Sequence, residues 1–286
     1  MFPGRKLHLF TVLVLLLLSA IGSFAAVPQV RHVFIVVEEN HSYSSVIGSS
    51  SMPYLNALAR RYGLATAYYA DTHPSIGNYF MLTTGHVITN NDAYSGTVTT
   101  DNIVRHLLTA GKTWKAYAES LPYVGYIGGD SFPYIKHHNP FAYFSDVRDS
   151  SNERDRLVPF SHFASDLANG NLPSFSFIVP NALHDAHTGS LSAADYWLKS
   201  HIAPLIASAA FQQSLLVILF DESYDSDTAH GGGHVAAIVV GPAVKPGTRN
   251  GSFFQHQNVL KTFCSALGLG SCPGAAGSAS SMVGFF

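Results

Sequence analysis

Four short, largely apolar runs punctuate the chain: Val30 to Val37, Ser174 to Val179, Leu215 to Phe220 and Ala236 to Val240. They do not alternate and they favour Val, Ile and Phe, which is how a strand buried on both faces reads. Thr113 to Tyr117 predicts a fifth strand. Between these runs the spacing turns helical. Met52 to Tyr62 places Leu55, Leu58 and Ala59 on one face. Pro74 opens a helix over Ser75 to Thr84, and Gly85 stops it. Asp101 is read as the cap of a helix with Ile103, Val104, Leu107 and Leu108 as its apolar stripe. Asp195 to Ile206 and Gln257 to Leu267 complete the set. Strands that alternate with helices predict an α/β fold, a three-layer α/β/α sandwich around a mainly parallel sheet. Glu119 to Arg156, rich in Gly, Pro, Ser and Tyr, reads as an ordered excursion, and Gly274 to Ser281 as a loose tail. No repeat or linker divides residues 26–286, which are expected to form one domain.

Residues 1–25 change the picture of where the chain works. Arg5 and Lys6 precede an apolar stretch, and Ser23-Phe24-Ala25 supplies small residues at a cleavage point. A signal peptide is expected, cut after Ala25 or one residue later. The alternative is a membrane anchor, but the uninterrupted apolar core, Val12 to Leu18, is short for a span. The expected product is secreted or periplasmic, with no stable membrane insertion. Charged residues are 12% of the chain and hydrophobic ones 47%, a balance that excludes disorder. Losing Arg5 and Lys6 takes 16 basic residues to 14 against 18 acidic, a formal charge of −4, so no nucleic-acid partner is expected. Cys264 and Cys272 fit a disulfide in an oxidising compartment, with two free thiols as the alternative.

Candidate chemistry sits where strands end, because ligands of open α/β sheets bind beyond the carboxyl ends. One strand ends in Glu38-Glu39-Asn40 and another in Asp221-Glu222. Pro180-Asn181 and His184-Asp185-Ala186-His187 follow a third. Carboxylates gathered on one rim repel unless a cation sits among them, and oxygen ligands suit Mg, Ca, Mn or Zn. Taken singly, each cluster also reads as a solvated strand end. Thr72-His73-Pro74-Ser75 places Ser75 at a helix N-terminus, where backbone N–H groups favour an anion. The alternative there is an ordinary capping serine. The 15 histidines suit metal, phosphate or proton-transfer roles.

His32 to Tyr43, Thr72 to Ser75 with Asn78-Tyr79, Lys136 to Pro140, Pro180-Asn181 with His184 to His187, Asp195 to Leu198, Phe220 to Glu222, Gly231 to Gly233 and Gln255 to Leu260 occur in one order along nearly the whole mature chain. Together they resemble the bacterial phosphoesterase family of secreted acid phosphatases and phospholipases C, within the alkaline-phosphatase-like superfamily. The short length is similar to the secreted phosphatase branch, some members of which act on phosphoinositides. The resemblance implies one divalent ion held by Glu39, Asn40, Asp221 and Glu222, with Ser75 as nucleophile and Asn139 and His187 on the phosphate or leaving group. His73, His138, His184 and Asp185 are the further candidates for substrate binding.

Two departures qualify this. Ser223-Tyr224-Asp225-Ser226 stands where the phospholipases carry a Gly-rich, aromatic and His motif, and Thr188 stands where an acid is usual. The expected activity is therefore an acid phosphomonoesterase, acting through a phosphoserine on a small-molecule or lipid phosphoester. A phospholipase C-type phosphodiesterase is the alternative, and a non-catalytic exported metal- or anion-binding protein is the other. A non-catalytic relative should have lost one of Ser75, Glu39, Asn40, Asp221 or Glu222, and all five are present.

Overall fold

The computed structural model describes residues 1–2 and 26–286, so the expected leader lies outside the described residues. The strands are β1 (His32–Glu38), β2 (Gly63–Ala65), β3 (Trp114–Ala118), β4 (Leu157–Pro159), β5 (Phe175–Val179), β6 (Ser214–Phe220), β7 (Ala237–Val240) and β8 (Thr248–Asn250). They form one eight-stranded sheet in the order β4-β3-β5-β1-β6-β7-β2-β8. The five strands from β4 to β6 run parallel, and so does β8 on β2; β7 is antiparallel to both neighbours. β1 and β6 are central and buried on both faces, which is why they lack alternation.

Side-chain alternation assigns the layers. Phe175 and Phe177 share a face and meet Phe263 and Tyr79, which lie on helices His256–Ala266 and Ser75–Thr84. Phe34 is paired with Ser176 and so points the other way, onto Phe163 of helix Ser161–Asn169. Phe163 and Trp197 both stack against Phe160, which brings helix Leu191–Ala207 onto that face. The result is the expected three-layer sandwich.

Several local expectations change. The cap of helix Ile103–Thr109 is Asn102, whose side chain accepts from Val104 N–H at 2.9 Å. Asp101 instead accepts from Asn102 N–H and meets His106 Nε2 at 2.8 Å. Helix Leu191–Ala207 begins four residues before Asp195, capped by Ser190. Asp195 therefore does not cap its own helix. Its two oxygens accept from Tyr54 N–H and Leu55 N–H at 2.9 and 2.8 Å, tying down the start of helix Pro53–Arg61. The tail is docked, not loose. Asn258 Nδ2 donates to Ser280 O at 2.8 Å, and Met282 N–H to Thr262 Oγ1 at 2.8 Å. Cys264 and Cys272 form a disulfide.

Candidate active site

The register of β1 on β6 builds the site. Glu38 pairs with Phe220, so Glu39 and Asp221 leave the sheet side by side at its carboxyl rim. Asn40 N–H donates to Asp221 Oδ1 at 3.3 Å. Asn40 takes a left-handed backbone, φ 56°, which Asn tolerates better than most residues. With its amide turned to suit its neighbours, Nδ2 donates to Glu222 Oε1 (3.2 Å) and Ser223 O (2.9 Å), keeping Oδ1 as the free acceptor.

Helix Ser75–Thr84 delivers Ser75 at its first position, with Pro74 as N-cap. The buried Ser75 Oγ lies 3.1 Å from Glu39 Oε2 and 3.0 Å from Glu222 Oε1. Its single proton serves one carboxylate at a time. Tyr79 stands one turn further along the same face, and its hydroxyl donates to Glu39 Oε1 at 2.6 Å. The other oxygen of Glu222 meets His73 Nδ1 at 2.7 Å, while His73 Nε2 donates to Asp227 O at 3.0 Å. The ligand atoms of His73, Glu222 and Asp225 lie within 4.8 Å of one another. The glycine run Gly231–Gly233 lets this loop close on the Ser75 approach: a Cβ at Gly231 would strike Asp71 O, and one at Gly233 would strike Ser223 Oγ.

The electrostatics are those of acids crowded away from water. Burial first, then Asp221 and Asp185, push the Glu39 carboxyl well above the usual range. Burial and then Glu222 do the same to Asp221. Glu222 is pushed up to about 8, and Asp185 to about 7, chiefly by burial. Asp221 Oδ2 and Asn139 Oδ1 are buried with no hydrogen-bond partner among the described residues. Orphaned oxygens beside mutually repelling carboxyls are the signature of a place for a cation. Three carboxylates, an amide and a hydroxyl, all oxygen donors, fit a hard or borderline divalent ion.

The remaining candidates divide. His187 is exposed and lines a cavity of about 490 Å³ together with Asn40, His41, Tyr224, Asp225 and Ser226. Asn139 is buried, and its Nδ2 reaches only Tyr134 OH, at 3.4 Å. His138 stacks on Tyr79 at 5.2 Å between ring centres, with Nε2 3.2 Å from Glu39 Oε1 and Nδ1 3.4 Å from Asp185 Oδ2. Burial pushes His138 down to about 3, so it is neutral. Asp185 does not face the cavity: its main-chain O accepts from Glu39 N–H at 2.7 Å and its Oδ1 from His187 N–H at 2.8 Å. It joins the Glu39 loop to the His187 loop. His184 pairs with Glu119 at 3.0 Å and is not part of the cavity lining. His73 does not line the cavity and holds Glu222 Oε2.

Sequence reasoning missed three contributors. Tyr79 was legible from its helical spacing to Ser75. Asp92 was not: it comes from an irregular loop, and its Oδ1 accepts from Ile76 N–H at 3.1 Å. One of the helix amides expected to hold a phosphoryl oxygen is thus already engaged by a carboxylate. The third is a buried relay behind Asp221. His256 Nε2 donates to Asp221 O at 2.7 Å, and Tyr68 OH donates to His256 Nδ1 at 2.7 Å. His256→Ala strands both partners in the core and should lower the unfolding free energy by about 3 kcal/mol, as seen in urea denaturation.

Comparison with known proteins agrees with this geometry. A family model described as the phosphoesterase family matches residues 49–270. This chain belongs to the phosphoesterase family. It is 36% identical over 247 residues to a phosphatidylinositol-3-phosphatase of Mycobacterium tuberculosis (strain ATCC 25618 / H37Rv), covering 86% of this chain and 79% of that protein. It is 30% identical over 246 residues to an acid phosphatase of Aspergillus fumigatus, covering 82% of this chain but only 54% of the fungal one, so the chain spans about half that enzyme's length. Among solved structures, a member of the alkaline phosphatase superfamily from Vibrio parahaemolyticus superposes with a TM-score of 0.58 at 14% identity, covering 86% of this chain and 68% of that one. The phosphoesterase is a phosphoric ester hydrolase of alkaline-phosphatase-like fold.

Proposed function

We propose that this phosphoesterase is a secreted, metal-assisted acid phosphomonoesterase acting through a phosphoseryl intermediate. A phosphoinositide monoester is the lipid substrate that its 36% identical relative suggests. The observation that carries the reading is Ser75 Oγ, buried at a helix start and shared between Glu39 and Glu222 beside the orphaned Asp221 Oδ2. The leader-like residues 1–25 support export. Among the described residues, no helix is long and apolar enough to cross a membrane.

Glu39, Asn40, Asp221 and Glu222 would hold one divalent ion, whose positive charge would favour the Ser75 alkoxide and offset charge on the phosphoryl group. The chain's own residues do the rest. Ser75 Oγ, oriented by Glu222 Oε1 and Glu39 Oε2, gives its proton to solvent and attacks phosphorus, so that the Oγ–P bond forms as the bond to the leaving oxygen breaks. His187, at the cavity wall, gives a proton to that oxygen. Asn139 Nδ2, weakly held by Tyr134, donates to a phosphoryl oxygen. Water then attacks phosphorus, the Oγ–P bond breaks, and inorganic phosphate leaves with Ser75 reprotonated.

The test compares p-nitrophenyl phosphate, its phosphorylcholine ester and phosphatidylinositol 3-phosphate, before and after chelation. The monoesters should turn over, chelation should abolish turnover, and a divalent ion should restore it. Preference for the phosphorylcholine diester would assign the phospholipase C-type alternative. A chiral phosphate monoester should transfer with net retention; inversion would rule out the phosphoseryl intermediate.

A further inference from the structure

Large apolar side chains gather where they are least expected, on the open end of the sheet beside the site. Tyr123, Val124, Phe132 and Leu183 are 61%, 39%, 66% and 40% exposed. They come from two segments, the excursion that follows β3 and the loop that follows β5, both leaving the carboxyl rim that carries Glu39 and Asp221. They are physically joined. Ser131 and Tyr134 exchange main-chain hydrogen bonds at 3.0 and 2.9 Å, which makes Phe132-Pro133 the tip of a tight hairpin. Ala182 N–H donates to Pro133 O at 3.0 Å, fastening that tip beside Leu183. Tyr126 bridges the other way, with ring centres 5.2 Å from Tyr123 and 5.8 Å from Tyr134. The hairpin also reaches the chemistry, since Tyr134 OH is the partner of Asn139 Nδ2.

Residues 119–135 and 180–190 contain no Lys or Arg, and their acids are Glu119, Asp130 and Asp185. Glu119 is paired with His184, Asp185 is buried, and Asp130 accepts from Lys136 N–H at 2.8 Å within the excursion. What faces solvent is chiefly Tyr, Phe, Val and Leu, with the Asp130 carboxylate beside them. Exposed aromatic and aliphatic side chains clustered this way, with Asp130 as the exposed acid at their edge, are unlike ordinary solvent-facing surface. Aromatic and aliphatic side chains of this kind partition to the boundary between lipid headgroups and acyl chains.

We infer that the Phe132 hairpin and the Tyr123–Val124 turn dock the enzyme on a phospholipid bilayer, holding the active site over headgroups within the membrane surface. The inference rests on the phosphoinositide reading above and adds how the substrate is reached. Insertion supplies most of the affinity, because neither segment carries a Lys or Arg of its own and the cation nearest the turn is Arg154, packed against Gly125. Docking therefore survives salt, unlike that of a basic patch.

The experiment pairs the full chain with the variant Tyr123→Ser/Val124→Ser/Phe132→Ser, three exposed positions outside the catalytic constellation. Both are pelleted with phosphatidylcholine vesicles carrying a minor fraction of phosphatidylinositol 3-phosphate, and both are assayed on those vesicles and on p-nitrophenyl phosphate. The wild type should co-sediment, including at about 0.5 M NaCl, where charge attraction is screened. The variant should lose co-sedimentation and about tenfold of its rate on vesicles, while its rate on p-nitrophenyl phosphate is unchanged. Equal co-sedimentation and equal vesicle rates for the two proteins overturn the docking surface. Absence of wild-type co-sedimentation, with self-association in sedimentation velocity that the variant lacks, overturns it in favour of a second copy. Co-sedimentation needs no turnover, so a wild type that binds vesicles but hydrolyses neither substrate leaves the docking standing and removes the phosphatase reading.

Discussion

Replacing Ser75 by alanine is expected to lower kcat on p-nitrophenyl phosphate by at least about three orders of magnitude, because a nucleophile and its partners act as a unit. The fold should survive at a cost of about 1–3 kcal/mol, since the substitution removes a hydroxyl donor from buried carboxylates. Ser75 Oγ touches Glu39 and Glu222, and neither carboxylate would gain a closer neighbour in the variant. Rapid quenching of the wild type with labelled substrate should trap phosphate on Ser75, and the alanine variant should trap none. Near-normal turnover by the variant would mean direct attack by water. The two readouts separate lost chemistry from lost folding.

Chelation is the second large effect, and its size should depend on pH. Without a cation, Glu222 is pushed up to about 8 and Asp185 to about 7, while Glu39 and Asp221 lie well above the usual range. Unfolded Asp and Glu titrate near about 3.9 and 4.3. The metal-free native state therefore binds protons more tightly than the unfolded chain. The stability contributed by these carboxyls is fully present below about pH 4 and is lost as pH rises through 7 to 8. A bound divalent ion requires the ionised ligands and so acts in the opposite sense. At a thousandfold excess over Kd the ion adds about 4 kcal/mol, on the order of 10 °C in Tm for a chain of this size. Calorimetry with and without chelator should show that gap near pH 8 and a much smaller one near pH 5. A pH-independent gap would mean that the carboxyls are not the ligands.

The parts legible in the sequence were those governed by local rules. β1 and β6 announced themselves as unbroken apolar runs because both of their faces are covered. Pro74 and Gly85 bracketed the Ser75 helix to the residue. The acids following the two strands could be placed together once the strands were neighbours, and their register did so. What stayed hidden is decided by partners distant in the chain. β2, β4 and β8 are three residues each and exist because a neighbouring strand offers hydrogen bonds. Asp101 and Asn102 are both good caps, and tertiary contacts chose between them: Asn102 also donates to Asp146 at 3.0 Å. His184 and His187 stand on one short loop, but Glu119 claims the first. Asp92 carries no periodic signal, and only the folded loop brings it to the helix amide.

The pairing of β1 with β6 joins Asn40 to Asp221 across 181 positions of sequence. Half of the proposed ligand set is thus made early in synthesis and half about three-quarters of the way along the chain. A nascent chain holds Glu39, Asn40 and Ser75 before Asp221 and Glu222 have been made. Closing so long a loop comes late in folding. The proposed site therefore stays incomplete until the chain has been made at least as far as Glu222.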